Sequence, residues 1–170
     1  MLNSFNDLSL FFEDNYRRIN VREYSRIKKI SPPTASKILK LYKEEELLLD
    51  EHEKNFIYYL ANKESKVFID IARIYWYLQL KKIGLLSYIE NELVNPLVIL
   101  FGSLSKAEIK KDSDVDIAVF TISKKDLSLK DFEKKINRNI QVFYFKSKND
   151  VKNKELLNNI LNGFILTGSW

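Results

Sequence analysis

Residues Val98 to Phe120 read VILFGSLSKAEIKKDSDVDIAVF, and the fold of the C-terminal part turns on them. Val98, Ile99, Leu100 and Phe101 form a short continuous apolar run, the pattern of a buried strand. Gly102 lets the chain turn sharply and lets backbone come close to a ligand. Ser103 adds a hydroxyl at the start of a predicted helix, where free N–H groups and the helix dipole favour phosphate. After ten intervening residues, Asp114 and Asp116 open a second apolar run, predicted as a strand from Asp114 to Phe120. A period of two puts both carboxylates on one face. Two adjacent carboxylates repel each other unless a cation lies between them, and hard oxygen ligands of this kind suit Mg²⁺. A phosphate cradle beside a divalent-metal site points to phosphoryl or nucleotidyl transfer.

These residues resemble the nucleotidyltransferases of the DNA polymerase β superfamily, most closely its minimal members. The family pattern is an apolar strand, Gly-Ser, a short helix, and Asp-x-Asp on the next strand. Gly102 and Ser103 match the Gly-Ser pair, and Asp114 and Asp116 match the metal-binding aspartates. Lys106 stands where the minimal family usually has a basic residue, Glu108 and Asp112-Ser113 fit, and Ala107 departs from the usual Gly. The likeness spans roughly residues 95–170. It implies catalytic and metal-binding roles for Asp114 and Asp116, nucleotide binding by Gly102, Ser103 and Lys106, Mg²⁺ (or Mn²⁺) as cofactor, and a nucleoside triphosphate as substrate or ligand. The competing reading is a surface Gly-Ser turn near an acidic loop.

One position departs from that family in a way that bears on catalysis. The family usually carries a third carboxylate on a later strand, which helps bind metal and activate the acceptor hydroxyl. The matching strand is Asn139 to Phe145, NIQVFYF, and the matching residue is Gln141. An amide can offer a carbonyl oxygen, but it is no base and carries no charge. Glu133 and Asp150 are the acids nearest in sequence.

The chain has 170 residues, enough for one ordinary domain or two small ones. Hydrophobic content of 45% with 30% charged residues is globular. With no cysteine and a single histidine, His52, in a charged stretch, disulfides and thiolate metal sites are excluded and a histidine-based zinc site is not expected. No signal-peptide pattern is visible, and no apolar stretch reaches the ~20 residues needed to span a bilayer, so no membrane role and a cytoplasmic location are expected. Net charge is +5, but from Asn15 to Lys43 nine basic residues face one acid, Glu23, giving +8. The balance turns acidic from Glu44 to Glu53.

Helices are predicted at about Asn3–Asp14 and Val21–Lys28. Then comes ISPPTASKILKLYKEEELLL, in which Ser31 is a good N-cap and Pro32 fits the first helical position. Ala35, Ile38, Leu39 and Tyr42 form a core stripe, with Thr34, Ser36, Lys37 and Lys40 opposite. Leu47–Leu49 and Asn55–Leu60 read as two short strands. This order resembles winged helix-turn-helix domains of the MarR/ArsR type. The resemblance implies binding of double-stranded DNA, with Pro33, Thr34, Ser36 and Lys37 facing the major groove and Lys40, Arg22 and Arg26 nearer phosphates. The alternative is a helical protein-contact module with a solvated basic face, and the acidic DEHEK turn favours it.

A long helical stretch is expected from about Lys63 to Glu92, broken at Gly84. Val67, Ile71, Ile74, Tyr75 and Leu78 form one apolar stripe, and Phe68, Trp76, Tyr77 and Leu80 lie on other sides. Such a helix must be covered more than once, between two domains or against its copy in a homodimer. Further on, Ser128 is expected to cap a helix through Ile136, another helix spans about Asp150–Leu161, Gly163 ends it, and Phe164–Leu166 adds a last strand or packs the terminus.

The expected fold class is α+β: a winged helix-turn-helix over 1–62, a connecting helical segment over 63–94, and a minimal nucleotidyltransferase domain over 95–170 with a small mixed sheet. The expected function is Mg-dependent transfer of NMP from NTP to a protein or small-molecule hydroxyl. What is implied by the minimal family extends to a toxin-like protein acceptor and an autoregulated antitoxin. The alternative is a DNA-binding regulator whose nucleotide site is weak or inactive, and a third reading makes both domains interaction scaffolds.

Overall fold

The computed structural model describes residues 2–123 and 125–170. The chain divides into two compact units: residues up to Ala72 with Ala107–Lys111, and Arg73–Lys106 with Asp112–Trp170.

The first unit opens with α1 (Leu2–Glu13), followed by β1 (Ile19–Asn20), α2 (Val21–Lys28), α3 (Pro32–Glu44) and a hairpin of β2 (Leu48–Glu53) and β3 (Phe56–Ala61). The three strands form an antiparallel sheet in the order β1-β3-β2. Local chemistry sets the helix ends. The Asn20 side chain accepts from the Glu23 N–H, and Lys29 closes α2 in the left-handed conformation at φ 55°. The Ser31 hydroxyl accepts from the Thr34 N–H, with Pro32 in the first turn of α3. Ala35, Leu39 and Tyr42 of α3 are buried, as are Phe11, Phe12, Tyr24 and Tyr59. Buried Asn15 ties down the returning segment: its amide oxygen accepts from Ile109 N–H at 2.7 Å, and its own N–H donates to Ile109 O at 2.8 Å.

Helix α4 (Lys66–Lys82) starts three residues later than the sequence pattern suggests, where the Ser65 hydroxyl accepts from the Phe68 N–H. Its covered face also differs from the predicted stripe. Phe68, Ala72, Tyr75, Trp76 and Leu80 are buried, whereas Val67, Ile74 and Leu78 are 60%, 42% and 39% exposed. A helix apolar on several sides gives no periodic signal for which side is covered.

The second unit continues with α5 (Leu85–Glu92), β4 (Leu97–Phe101), α6 (Ser103–Lys106), β5 (Val115–Phe120), α7 (Lys130–Ile136), β6 (Ile140–Phe145), a 3-10 turn (Lys148–Asp150), α8 (Lys154–Leu161) and β7 (Phe164–Thr167). The sheet order is β6-β5-β4-β7. The β5–β6 pair is parallel and the other pairs antiparallel, so the sheet is mixed. All of β4 is buried, as its unbroken apolar run requires. Leu97, Ile99, Phe101, Ala118 and Phe120 form a core with Val151 and Ile160 from the segment around α8.

Three local expectations are corrected. Leu129, not Ser128, precedes α7, with no side-chain cap, and the Ser128 N–H instead donates to the Tyr88 hydroxyl at 3.1 Å. Gly163 follows α8 without a left-handed turn, since positive φ among the glycines falls at Gly84, Gly102 and Gly168. It is glycine because a Cβ there would lie 2.5 Å from Leu100 O and 2.7 Å from Ile99 Cγ2. Helix α8 starts at Lys154, capped by Asn153, because Asp150 is engaged in its own capping box with Ser147.

Candidate nucleotide site and basic face

The turn after β4 places the Gly-Ser pair against the acidic pair of β5. Phe101 and Asp116 are register partners, so Gly102 leaves β4 beside Asp116. Gly102 has φ +70°, and a Cβ there would fall 2.2 Å from Asp116 Oδ2. Only glycine permits both the backbone and the carboxylate above it. The turn is anchored by buried Ser105, whose hydroxyl donates to Gly102 O at 2.9 Å. Ser103 begins α6, half-buried beside this turn. Ala107, just after α6, holds φ 54°, a left-handed conformation that suits the glycine the resembling family has there.

Asp114 precedes β5 and Asp116 lies within it. The carboxyl of Asp116 is raised above its ordinary range, first by burial and then by the neighbouring Asp114 charge. The two carboxylates therefore share one field, the condition under which a bound cation is favoured.

Asp116 pairs in register with Gln141 on the parallel neighbour β6, which puts the amide beside the aspartate pair. Gln141 Nε2 donates to Asp114 Oδ2 at 2.6 Å, and Asn139 Nδ2 donates to Asp114 Oδ1 at 3.1 Å. Each oxygen of Asp114 is thus held by one amide and keeps its other lone pair. Each alternative acid is tied to backbone N–H groups elsewhere. Glu133 Oε1 accepts from Ile140 N–H at 2.9 Å. Asp150 accepts from the N–H groups of Lys146 and Ser147 beyond the far end of β6. Lys106 is exposed and donates to Asn159 Oδ1 at 2.8 Å, so α8 holds it.

The site residues the sequence missed are Asn139 and Arg138. Asn139 lies two residues before Gln141 on one strand line, so period two was an available signal for it. Arg138 Nη1 donates to Ser113 O at 2.6 Å and its guanidinium lies 5.0 Å from the Trp76 ring centroid, fixing the approach to Asp114. No sequence signal marks that role.

Among the described residues no group of three His, Cys, Asp or Glu side chains is arranged to hold a metal. Two carboxylates flanked by amides suit a cation that arrives already chelated by phosphate oxygens better than a resident ion.

In the first unit, Arg22, Arg26, Pro33, Thr34, Lys37 and Lys40 are exposed and Ser36 is half-buried. No carboxylate among the described residues pairs with those four basic side chains. Other members of the basic segment are engaged: Arg17 with Glu23, Arg18 with Glu51 and Glu53, and Lys43 with Asp50. The hairpin acids are therefore largely matched by cations of their own unit. Lys28 is turned inward onto Ser9 Oγ at 2.8 Å, and burial lowers its ammonium.

Residues 85–168 match the family model described as Polymerase beta, Nucleotidyltransferase. The C-terminal part of the chain is thus nucleotidyltransferase-like, which implies a nucleoside triphosphate as its substrate. No curated protein and no solved structure matches the chain. No helix among the described residues is long and apolar enough to cross a membrane.

Proposed function

We propose that the C-terminal unit binds a nucleoside triphosphate with Mg²⁺ and transfers NMP to a hydroxyl of a protein or small molecule. The observation that carries this reading is the Asp114–Asp116 pair set over Gly102 and Ser103. Ser103 and the N–H groups after Gly102 hold the terminal phosphates, and Lys106 adds positive charge at the edge. Mg²⁺, held by Asp114 and Asp116, supplies charge against the triphosphate. In the transfer the acceptor oxygen bonds to the α-phosphorus, the bond to the bridging oxygen breaks, and pyrophosphate leaves. The hydroxyl proton has no carboxylate to receive it at position 141, so turnover is slow. Incubation with α-labelled NTP, Mg²⁺ or Mn²⁺ and candidate acceptors, including a toxin-like partner, tests the reading. Label that fails to move, or moves equally with Asp114→Asn/Asp116→Asn, refutes it.

A second reading is favoured by Gln141: a DNA-binding regulator that binds nucleotide without transferring it. In support, the first unit has the helix, helix, capped helix and hairpin order of a winged helix-turn-helix, and its capped helix presents unpaired Lys37 and Lys40. The exposed row Val67, Ile74 and Leu78 on α4 suits pairing with a second copy, and a cytoplasmic setting suits both readings. Duplex binding that responds to MgNTP, with no label transfer, selects this second reading.

A further inference from the structure

The end of the mixed sheet away from Asp114 and Asp116 carries a groove that the nucleotidyl-transfer chemistry does not use. Phe101 pairs with Asp116 at one end of the β4–β5 ladder and Leu97 pairs with Phe120 at the other. They are four residue steps of strand apart, about 13 Å. At this far end lies a groove of about 440 Å³ lined by Phe120, Lys146, Lys148, Asn149 and Trp170, with no acidic side chain in its lining. The volume is in the range of ordinary small-molecule sites.

Its parts are an aromatic surface and two cations. Trp170 is 54% exposed. It is oriented by an edge contact to Phe120 at 4.9 Å, and Phe120 is itself backed by Phe145 at 5.5 Å. The Lys148 ammonium lies 3.7 Å from the indole centroid. Lys146 has no acidic partner among the described residues. The nearest acid, Asp150, is occupied by the backbone N–H groups of Lys146 and Ser147 and by the Ser147 hydroxyl. Those N–H groups are therefore closed to an anion, and anion binding falls to the two ammonium groups. The Lys148 ammonium lies over the indole, and a flat ring stacks there by displacing it. The displaced Lys148 ammonium and that of Lys146 take phosphate as point charges, while Asn149 and Asn95 offer amides to a base edge.

We propose that this groove is a second nucleotide site, which stacks a nucleobase on Trp170 and holds its phosphate with Lys146 and Lys148, without a divalent cation. The same chemistry is presented by a free nucleotide and by a nucleotide within a single strand.

The test uses the full chain carrying Asp114→Asn/Asp116→Asn to disable the first site and Lys37→Ala/Lys40→Ala to weaken any duplex-binding face, in EDTA. AMP and a short single-stranded oligodeoxyadenylate are titrated separately, with heat and the Trp170 indole N–H resonance as readouts. The expected result is binding of one or both probes that shifts that resonance. Trp170→Ala then weakens binding about tenfold, and Trp170→Phe restores part of it. Lys146→Ala/Lys148→Ala, at two exposed positions, weakens binding and flattens its salt dependence. Binding of AMP alone assigns a free nucleotide, and binding of the oligonucleotide alone assigns a strand. No binding of either probe, or binding indifferent to both the Trp170 and the lysine variants, overturns the proposal.

Discussion

Gln141 Nε2 donates to Asp114 Oδ2 across 2.6 Å, so an amide donor, and not a third carboxylate, stands beside the aspartate pair. The bond orients Asp114 but supplies neither negative charge nor a base. Replacing the donor with an acid reverses both properties.

Gln141→Asp is therefore expected to raise Mg²⁺- or Mn²⁺-dependent transfer by up to the ~10²–10⁴-fold that general-base assistance contributes. Without metal the variant should be less stable than the parent, because a third charge joins Asp114 and Asp116 with no donor left to hold it. Side-by-side label transfer and metal titration check this. A parent that is already fast, and slowed by the substitution, would show that the proton leaves by another route.

Gly102→Ala is expected to abolish nucleotide binding while leaving a folded chain. The new Cβ would meet Asp116 Oδ2 at 2.2 Å and must hold φ +70°, a strain of about 1–2 kcal/mol for a non-glycine residue. Asp116 is half-buried and can turn its carboxylate, whereas the rest of its strand is core, so it moves first and the carboxylate pair is broken. Circular dichroism with MgATP calorimetry distinguishes this from general unfolding: retained helix and strand signal with lost binding is the expected pair of results.

Much of this site was legible because its residues obey simple spacing. The unbroken apolar run of β4, the Gly-Ser turn and the alternate aspartates each carry a local signal, and Gln141 was singled out by resemblance to the family's third-acid position. What escaped depends on contacts between segments distant in sequence. Arg138 acts by reaching back to Ser113 O, and Glu133 is tied to the Ile140 N–H. Gly163 reads as a helix stop in sequence, yet its cause is the approach of Leu100 O on another strand. Strand β1 is only two residues long and exists through its pairing with Tyr58 and Tyr59, so no periodicity announces it. The α4 register was misjudged because Val67, Ile74 and Leu78 are as apolar as the residues that are buried.

Lys37→Ala/Lys40→Ala is expected to weaken duplex DNA binding and to flatten its log–log salt dependence by about 0.9 for each phosphate that is no longer neutralised. Both residues are exposed on α3, opposite its buried Ala35, Leu39 and Tyr42, so thermal stability should change little. Arg18→Ala provides the contrast: its guanidinium is paired with Glu51 and Glu53, and its removal should unmask hairpin acids that repel DNA. Anisotropy titrations at several salt concentrations separate the two. Duplex binding that is absent at about 50 mM salt, where phosphate contacts are strong, would assign the basic face to protein contacts.

Asp116 offers a test in the metal-free protein that depends on sign alone. Burial, and then the charge of Asp114, raise its carboxyl above the ordinary value. A carboxyl raised in the fold binds its proton more tightly folded than unfolded, so it favours the fold while protonated. That contribution is complete below the ordinary carboxylate range, near pH 4, and is lost as pH rises through the raised value. In EDTA, Asp116→Asn should therefore raise the melting temperature at neutral pH, and its advantage should shrink as the pH falls toward 4. Adding MgATP should reverse the order, stabilising the parent through ligand binding and leaving the variant unmoved. Melting curves across that pH range, with and without MgATP, decide the matter. A variant that melts below the parent at every pH would mean that the Asp116 charge is already compensated in the free protein and that Asp114 and Asp116 do not form the mutually repelling pair on which nucleotide binding is argued.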